Sequence, residues 1–198
     1  MTPAWVVVTG DFWPGAGQGG ANYAVVRHLA GRGGARVHVV GHHIDPQLAR
    51  HPSVVPHRVR RPFGAHLLGQ PLLARAGRAV ARRVIREFPD ARVVVSGGNC
   101  RWTDVNWVHM VHAAWSARDE HAPAWRRLKD QAVQTVDRRA ERSAVPGSRL
   151  IIANSQRTRR DLIELLRLDP QRIRVVPLGT DPDAFRPVTL DERAAARR

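Results

Sequence analysis

The chain has 198 residues and 43% of them are hydrophobic. That is enough to bury the core of one sizeable α/β domain, and it excludes a polar, disordered tail. Its 32 basic and 17 acidic residues give a formal net charge of +15, and Lys129 is the only lysine. Such an excess favours anionic partners (phosphorylated ligands, nucleic acid or an acidic membrane surface), although an arginine-rich coding bias produces the same count. Cys100 stands alone, which excludes an internal disulfide or a cysteine-based metal cluster and fits a reducing cytoplasm. The opening MTPAWVVVTGDF has no basic segment and only a short apolar run, unlike a signal peptide. No stretch reaches the roughly 18 apolar residues of a membrane span. A soluble, cytoplasmic protein is expected, at most lying against the inner face of a membrane.

Short β-rich runs alternate with longer helical patterns. Ala4–Thr9 (AWVVVT) is a continuous apolar run ending at Gly10, the pattern of a strand buried on both faces. A loop with Asp11, Pro14, Gly15, Gly17, Gly19 and Gly20 follows. Ala21–Arg32 then predicts a helix with Ala24, Val25, Leu29 and His28 inward, and Arg36–Gly41 a second strand. Val54–Val59 predicts a third strand, demoted to an edge by Pro56. Gly64–Phe88 carries a helical pattern with Leu68, Leu72, Ala76, Val80 and Val84 near one face and Arg75, Arg78, Arg82, Arg83 and Arg86 mostly elsewhere. Ala91–Val95 and Val105–His109 predict two more strands, Ala124–Ala144 a basic helix, and Arg149–Ala153 a sixth strand. After Asn154-Ser155 a helix runs through about Leu168, and Arg174–Pro177 is a last short strand before LGTDPDAF. Strands separated by helices predict a mostly parallel sheet covered on both faces, a Rossmann-like three-layer α/β/α fold. Ligands of such sheets bind beyond the carboxyl ends of the strands, which selects loops 10–20, 96–100 and 109–116.

Each candidate in those loops has an ordinary structural reading beside the functional one. Gly19 and Gly20 stand where the first helix begins, so they fit a phosphate cradle of unpaired N–H groups as well as a plain tight turn. The spacing is not GxGxxG, and Gly41-His42-His43 stands where an acidic residue would close the second strand of a dinucleotide site. His109 falls at a strand end, where an imidazole can act as a base or hydrogen-bond a hydroxyl, or simply pack. His109 and His112 show no third metal ligand nearby, and His42 and His43 complete no metal pattern. The arginine-rich helix fits an anionic lipid surface or a solvated face. Nucleic acid is disfavoured: no recognition motif is present, and the six tryptophans are not interleaved with the basic clusters.

Three segments resemble the N-terminal half of a retaining, family 4 glycosyltransferase of GT-B fold. The first is DFWPGAGQGGANYAVVRHLAGRGGARVHVVG, with Gly34-Ala35 where that family usually has Gly-His. The second is VNWVHMVHAAW, a strand ending in a histidine. The third and most specific is IIANSQRTRRDLIELLRLDPQRIRVVPLGTDPDAFRP, in which Ser155, Leu162, Ile173, Pro177, Gly179, Asp181, Phe185 and Pro187 fall in the family's order. The resemblance implies transfer of a sugar from a nucleotide-sugar donor to a sugar, lipid-linked or small-molecule acceptor, with no cofactor or metal. Gly19 and Gly20 would meet the donor diphosphate. His109 would contact the transferred sugar, with His112 as the alternative. Asp11, Asn22, Gly97, Gly98 and Asn99 would lie in the acceptor loops, and Asp181 would shape an inter-domain turn. On this reading residues 1–187 form the acceptor-side domain and 188–198 begin a linker. The donor domain would be absent or supplied by a separate chain, and these residues alone would be inactive.

Overall fold

The computed structural model describes residues 3–15, 17–115, 122–179 and 186–197. In chain order these form β1 (Ala4–Val8), β2 (Asp11–Phe12), α1 (Gly17–Gly31), β3 (Arg36–Gly41), β4 (His43–Ile44), α2 (Pro46–Ala49) and β5 (Val54–Arg58). There follow α3 (His66–Glu87), β6 (Arg92–Ser96), β7 (Val105–Val108), α4 (Ala124–Ala144), β8 (Leu150–Ala153), α5 (Gln156–Leu166), β9 (Ile173–Val175) and α6 (Leu190–Ala196). Seven strands make one sheet in the order β5-β3-β1-β6-β7-β8-β9, and β2 and β4 pair as a small ribbon. Every ladder is parallel. All seven strands expected from sequence are in the main sheet, which is the Rossmann-like α/β architecture. Pro56 lies in β5 at the sheet edge, where a missing N–H is tolerated.

The apolar run of β1 is continuous because both faces are covered. Val7, with Val37 and Val39 of β3, packs against Tyr23, Val26, Leu29 and Ala30 of α1 and Leu48 of α2. Val6 and Val8, with Val93 and Val95 of β6, pack against Leu73, Ala81 and Val84 of α3. A third cluster joins Val108 of β7, Ile151 and Ala153 of β8 and Ile173 of β9 to Leu162 of α5 and Val145. Each fully buried valine contributes about 1.5 kcal/mol or more relative to exposure. Caps fix several helix starts. The Asp45 carboxylate accepts from the Gln47 and Leu48 N–H groups at 2.8 and 3.1 Å, and Ser155 accepts from Thr158 at 3.0 Å.

Two helix faces differ from the sequence expectation. In α1 the buried apolar side chains are Tyr23, Val26, Leu29 and Ala30, while Ala24 and His28 are exposed. The helix starts at Gly17, four residues earlier than expected, and its inward line is the i, i+3, i+6, i+7 set Tyr23, Val26, Leu29 and Ala30. In α3 the buried line runs through Gly69, Gln70, Leu73, Gly77, Ala81 and Val84, whereas Leu68 and Leu72 are 47% and 41% exposed. Glycines carry that face because the sheet comes close. A Cβ at Gly77 would stand 2.7 Å from a Val8 methyl. An apolar-periodicity reading cannot see a face made of glycine.

Candidate functional site

The strand succession β1, β3, β5 runs one way and β6, β7, β8, β9 the other, so the order reverses between β1 and β6. That switch point opens a crevice at the carboxyl ends of the strands. A cleft of about 270 Å³ lies there. Thr9, Gly10 and Asp11 line it from the end of β1, His42 from the end of β3, Ser96–Asn99 from β6, and His109, Met110 and His112 from β7. Gln18, Gly19 and Asn22 of α1 and His66, Gln70 and Leu73 of α3 complete the wall, with Arg61 at the approach to α3.

Asp11, Gly19, Asn22, Gly97, Gly98, Asn99, His109 and His112 are thus brought together, although up to 101 positions separate them in sequence. Gly20 is not on the cleft wall. Its Cβ position is filled by the Gly15 carbonyl, and that of Gly19 by the Trp13 indole. The glycine pair therefore lets the loop before α1 fold back over the first turn of the helix, leaving Gly19 at the cleft surface. Asn22 donates to the Thr9 hydroxyl at 3.1 Å and to the Asp11 carbonyl at 3.2 Å, so it ties the strand end to the helix. Gln18 donates to the Ser96 hydroxyl at 2.8 Å across the cleft floor. Gly97 has φ +52°, and a Cβ at Gly98 would stand 2.9 Å from the Glu141 backbone nitrogen. Those two glycines allow α4 to pack directly on the turn after β6. Asp181 and Phe185 lie outside the described residues.

His109 has the least ordinary environment. Both ring nitrogens are buried, and neither has a hydrogen-bond partner among the described residues. The ring rests 4.4 Å, centroid to centroid, from that of Trp107. Burial lowers its pKa to about 4, because desolvation opposes the imidazolium. A neutral imidazole offers one N–H and one lone pair. It is suited to hydrogen-bonding a hydroxyl, and with so low a pKa it is a weak proton abstractor at neutral pH.

The segment after His109 is held from α4. Glu141 is fully buried, and its two carboxylate oxygens accept from the His112 and Ala113 N–H groups at 2.9 and 3.1 Å. Burial raises its pKa, opposed by those two bonds. Arg138 donates to the carbonyls of His112 at 3.1 Å and Trp115 at 2.9 Å. Asp137 stands between two imidazoles, 2.7 Å from His66 and 4.0 Å from His112. His42, Arg61, His66, Gln70, Asp137 and Glu141 were not singled out from sequence as site residues. His66 and Asp137 are 71 positions apart on different helices, and no local spacing announces such a pair. Among the described residues, no three His, Cys, Asp or Glu side chains group closely enough to hold a metal ion, and no helix is long and apolar enough to cross a membrane.

Residues 16–184 match the sequence family described as Glycosyltransferase Family 4. No curated protein is a significant match. Among solved structures, WaaG, a glycosyltransferase involved in lipopolysaccharide biosynthesis, superposes with TM-score 0.59 at 15% identity, covering 98% of this chain and 50% of its own. Sucrose-phosphate synthase from Thermosynechococcus elongatus superposes with TM-score 0.59 at 16% identity, covering 100% of this chain and 53% of its own. At these identities the likeness shows the fold, one Rossmann-like half of a GT-B architecture. The chain spans about half the length of each structure.

Proposed function

Because this chain belongs to glycosyltransferase family 4, we propose that its cleft is the acceptor-side half of a sugar-transfer site working with a nucleotide-sugar donor. The observation that carries the reading is His109: an imidazole on the cleft wall with two buried ring nitrogens that have no partner among the described residues. Leaving such groups unpaired destabilises a fold, and that cost is reversed when a ligand hydroxyl supplies the partner. Gly19, at the start of α1, stands where helix N–H groups and the dipole favour the donor diphosphate.

In the reaction the anomeric carbon exchanges its bond to a diphosphate oxygen for one to an acceptor oxygen, with retention of configuration, and the hydroxyl proton leaves with the diphosphate or solvent. His109 holds a hydroxyl of the transferred sugar, and the turn after β6 and the His66–Asp137–His112 cluster face the acceptor. The nucleotide is gripped by a second Rossmann-like domain. Residues 1–187 act as the acceptor-side domain, and α6 belongs to the connection onward from it.

The test is a transfer assay over a panel of nucleotide-sugars. It is run on these residues alone and with a family 4 nucleotide-binding domain supplied in trans or fused. Turnover that requires the second domain supports the proposal. Robust turnover by these residues alone, or none with any donor once the second domain is present, counts against it.

A further inference from the structure

The His109 imidazole is aimed without a hydrogen bond at its ring. Neither ring nitrogen has a partner among the described residues, so the tilted contact with Trp107 and the backbone set where the ring points. The pairing of β7 with β8 ends at Val108, opposite Ala153. His109 is the first residue past that ladder, where backbone rungs no longer fix the chain. Asn154, the first residue past β8, adds one rung from its side chain: its Nδ2 donates to the His109 carbonyl at 2.9 Å. The other end of that amide is also taken. The Thr158 hydroxyl donates to Asn154 Oδ1 at 2.7 Å, which leaves the NH2 end to face His109.

Thr158 is buried in the first turn of α5. Its N–H donates to the Ser155 hydroxyl at 3.0 Å, and the two hydroxyl oxygens stand 3.0 Å apart. The cap of α5 thus continues through Thr158 and Asn154 to the carbonyl of His109. Three residues further along, Glu141 accepts from the His112 N–H. His109 lies between two side-chain anchors, one from the start of α5 and one from α4. Ser155 suffices to cap α5; the Asn154 amide donates to the neighbouring strand end instead.

We propose that Asn154, locked by Thr158, is a positioning residue that aims the His109 imidazole into the cleft. Asn154 does not line the cleft, so it acts through His109. The link between the two residues stands on its own, and its effect on turnover rests on the transferase reading.

His109 reports the link without any transfer chemistry. Burial alone lowers its pKa to about 4, so a ring released into water titrates nearer the ordinary 6.5. The full chain with isotope-labelled histidine is titrated by NMR, and His109→Leu identifies the signal. Asn154→Ala should raise the His109 midpoint by about one pH unit or more. Thr158→Val keeps the side-chain size and removes the hydroxyl, so it should shift the midpoint the same way and by less. Asp45→Ala removes the cap of α2, which packs against β5 at the opposite edge of the sheet. It lowers stability without touching these bonds, and His109 should keep its wild-type midpoint. Thermal melts verify that each variant is folded, and Thr158→Val carries the test if Asn154→Ala does not fold. In the two-domain assembly Asn154→Ala should lower kcat by about tenfold or more, with the KM for donor within about twofold of wild type.

An unchanged His109 midpoint in the folded Asn154 and Thr158 variants overturns the proposal, as does an equal shift in Asp45→Ala. Either result leaves the transferase reading standing. A raised midpoint with kcat unaltered keeps the link between Asn154 and His109 and sinks the role of His109 in transfer.

Discussion

Replacing His109 with leucine should stabilise the protein while removing its proposed function. Both imidazole nitrogens are buried without a hydrogen-bond partner among the described residues. One is a donor and the other an acceptor in the neutral form, and each unmade bond costs about 1–3 kcal/mol. Leucine has similar volume and no polar atoms, so it abolishes both costs. It also forfeits the tilted ring contact with Trp107 at 4.4 Å, worth about 0.5–1.5 kcal/mol. The balance is a gain of about 0.5–5.5 kcal/mol, and each kcal/mol raises the melting temperature of a domain this size by roughly 2–4 °C. Equilibrium denaturation of wild type and His109→Leu, compared at equal m-value, reads the difference. A residue kept for function at the expense of stability gives a more stable variant without transfer activity. If His109→Leu is instead destabilised by more than about 1 kcal/mol, the imidazole is making structural bonds and the reasoning fails.

Three further outcomes follow from the same geometry. Glu141→Gln keeps one acceptor oxygen but sets an amide NH2 against a backbone N–H, so it should cost about 2–4 kcal/mol in denaturation experiments; a loss under about 0.5 kcal/mol would show that the carboxylate does not hold the His112 segment. Gly20→Ala drives a methyl into the Gly15 carbonyl and should destabilise by about 1–3 kcal/mol, whereas an unchanged melting temperature would show that the loop yields freely. Burial lowers the pKa of His38 to about 4, with the neighbouring His57 adding to the effect, and burial also lowers that of His57. Their ring nitrogens meet at 3.0 Å. Because both folded-state values lie below the ordinary 6.5, the folded chain binds fewer protons than the unfolded one in that window. Stability is therefore full above pH 6.5 and lost as pH falls towards about 4. His38→Leu should flatten this acid limb, and a wild-type profile that is level across the window would contradict the assignment.

The strands were legible because β1, β3, β6 and β8 are apolar runs whose two faces are both covered, a pattern that survives without knowing the partners. The strand-end residues were legible for the same reason: once the sheet is parallel, its carboxyl edge selects Asp11, Gly97–Asn99, His109 and His112. The α3 face was misread because Gly69 and Gly77 form it, while Leu68 and Leu72 face outward. The other half of the site was not legible because it comes from helices. His66 reaches the cleft through the packing of α3, and Asp137 and Glu141 of α4 stand behind the wall, holding His66 and the His112 segment. The partner of Asp137 is 71 positions away, and Glu141 would read as one more charge on a solvated helix had its carboxylate not been found fully buried under the His112 and Ala113 N–H groups.

The most direct test of the central claim is the turnover number for sugar transfer in the two-domain assembly, comparing His109→Ala with His43→Ala. His43 is exposed on β4 and does not line the cleft, so its loss controls for removing an imidazole from this end of the sheet. His109→Ala should lower kcat by about a hundredfold or more, as expected when a hydrogen bond made at the reacting sugar is lost, while His43→Ala stays near wild type. Equal activity of the two variants, with both folded, would contradict that claim.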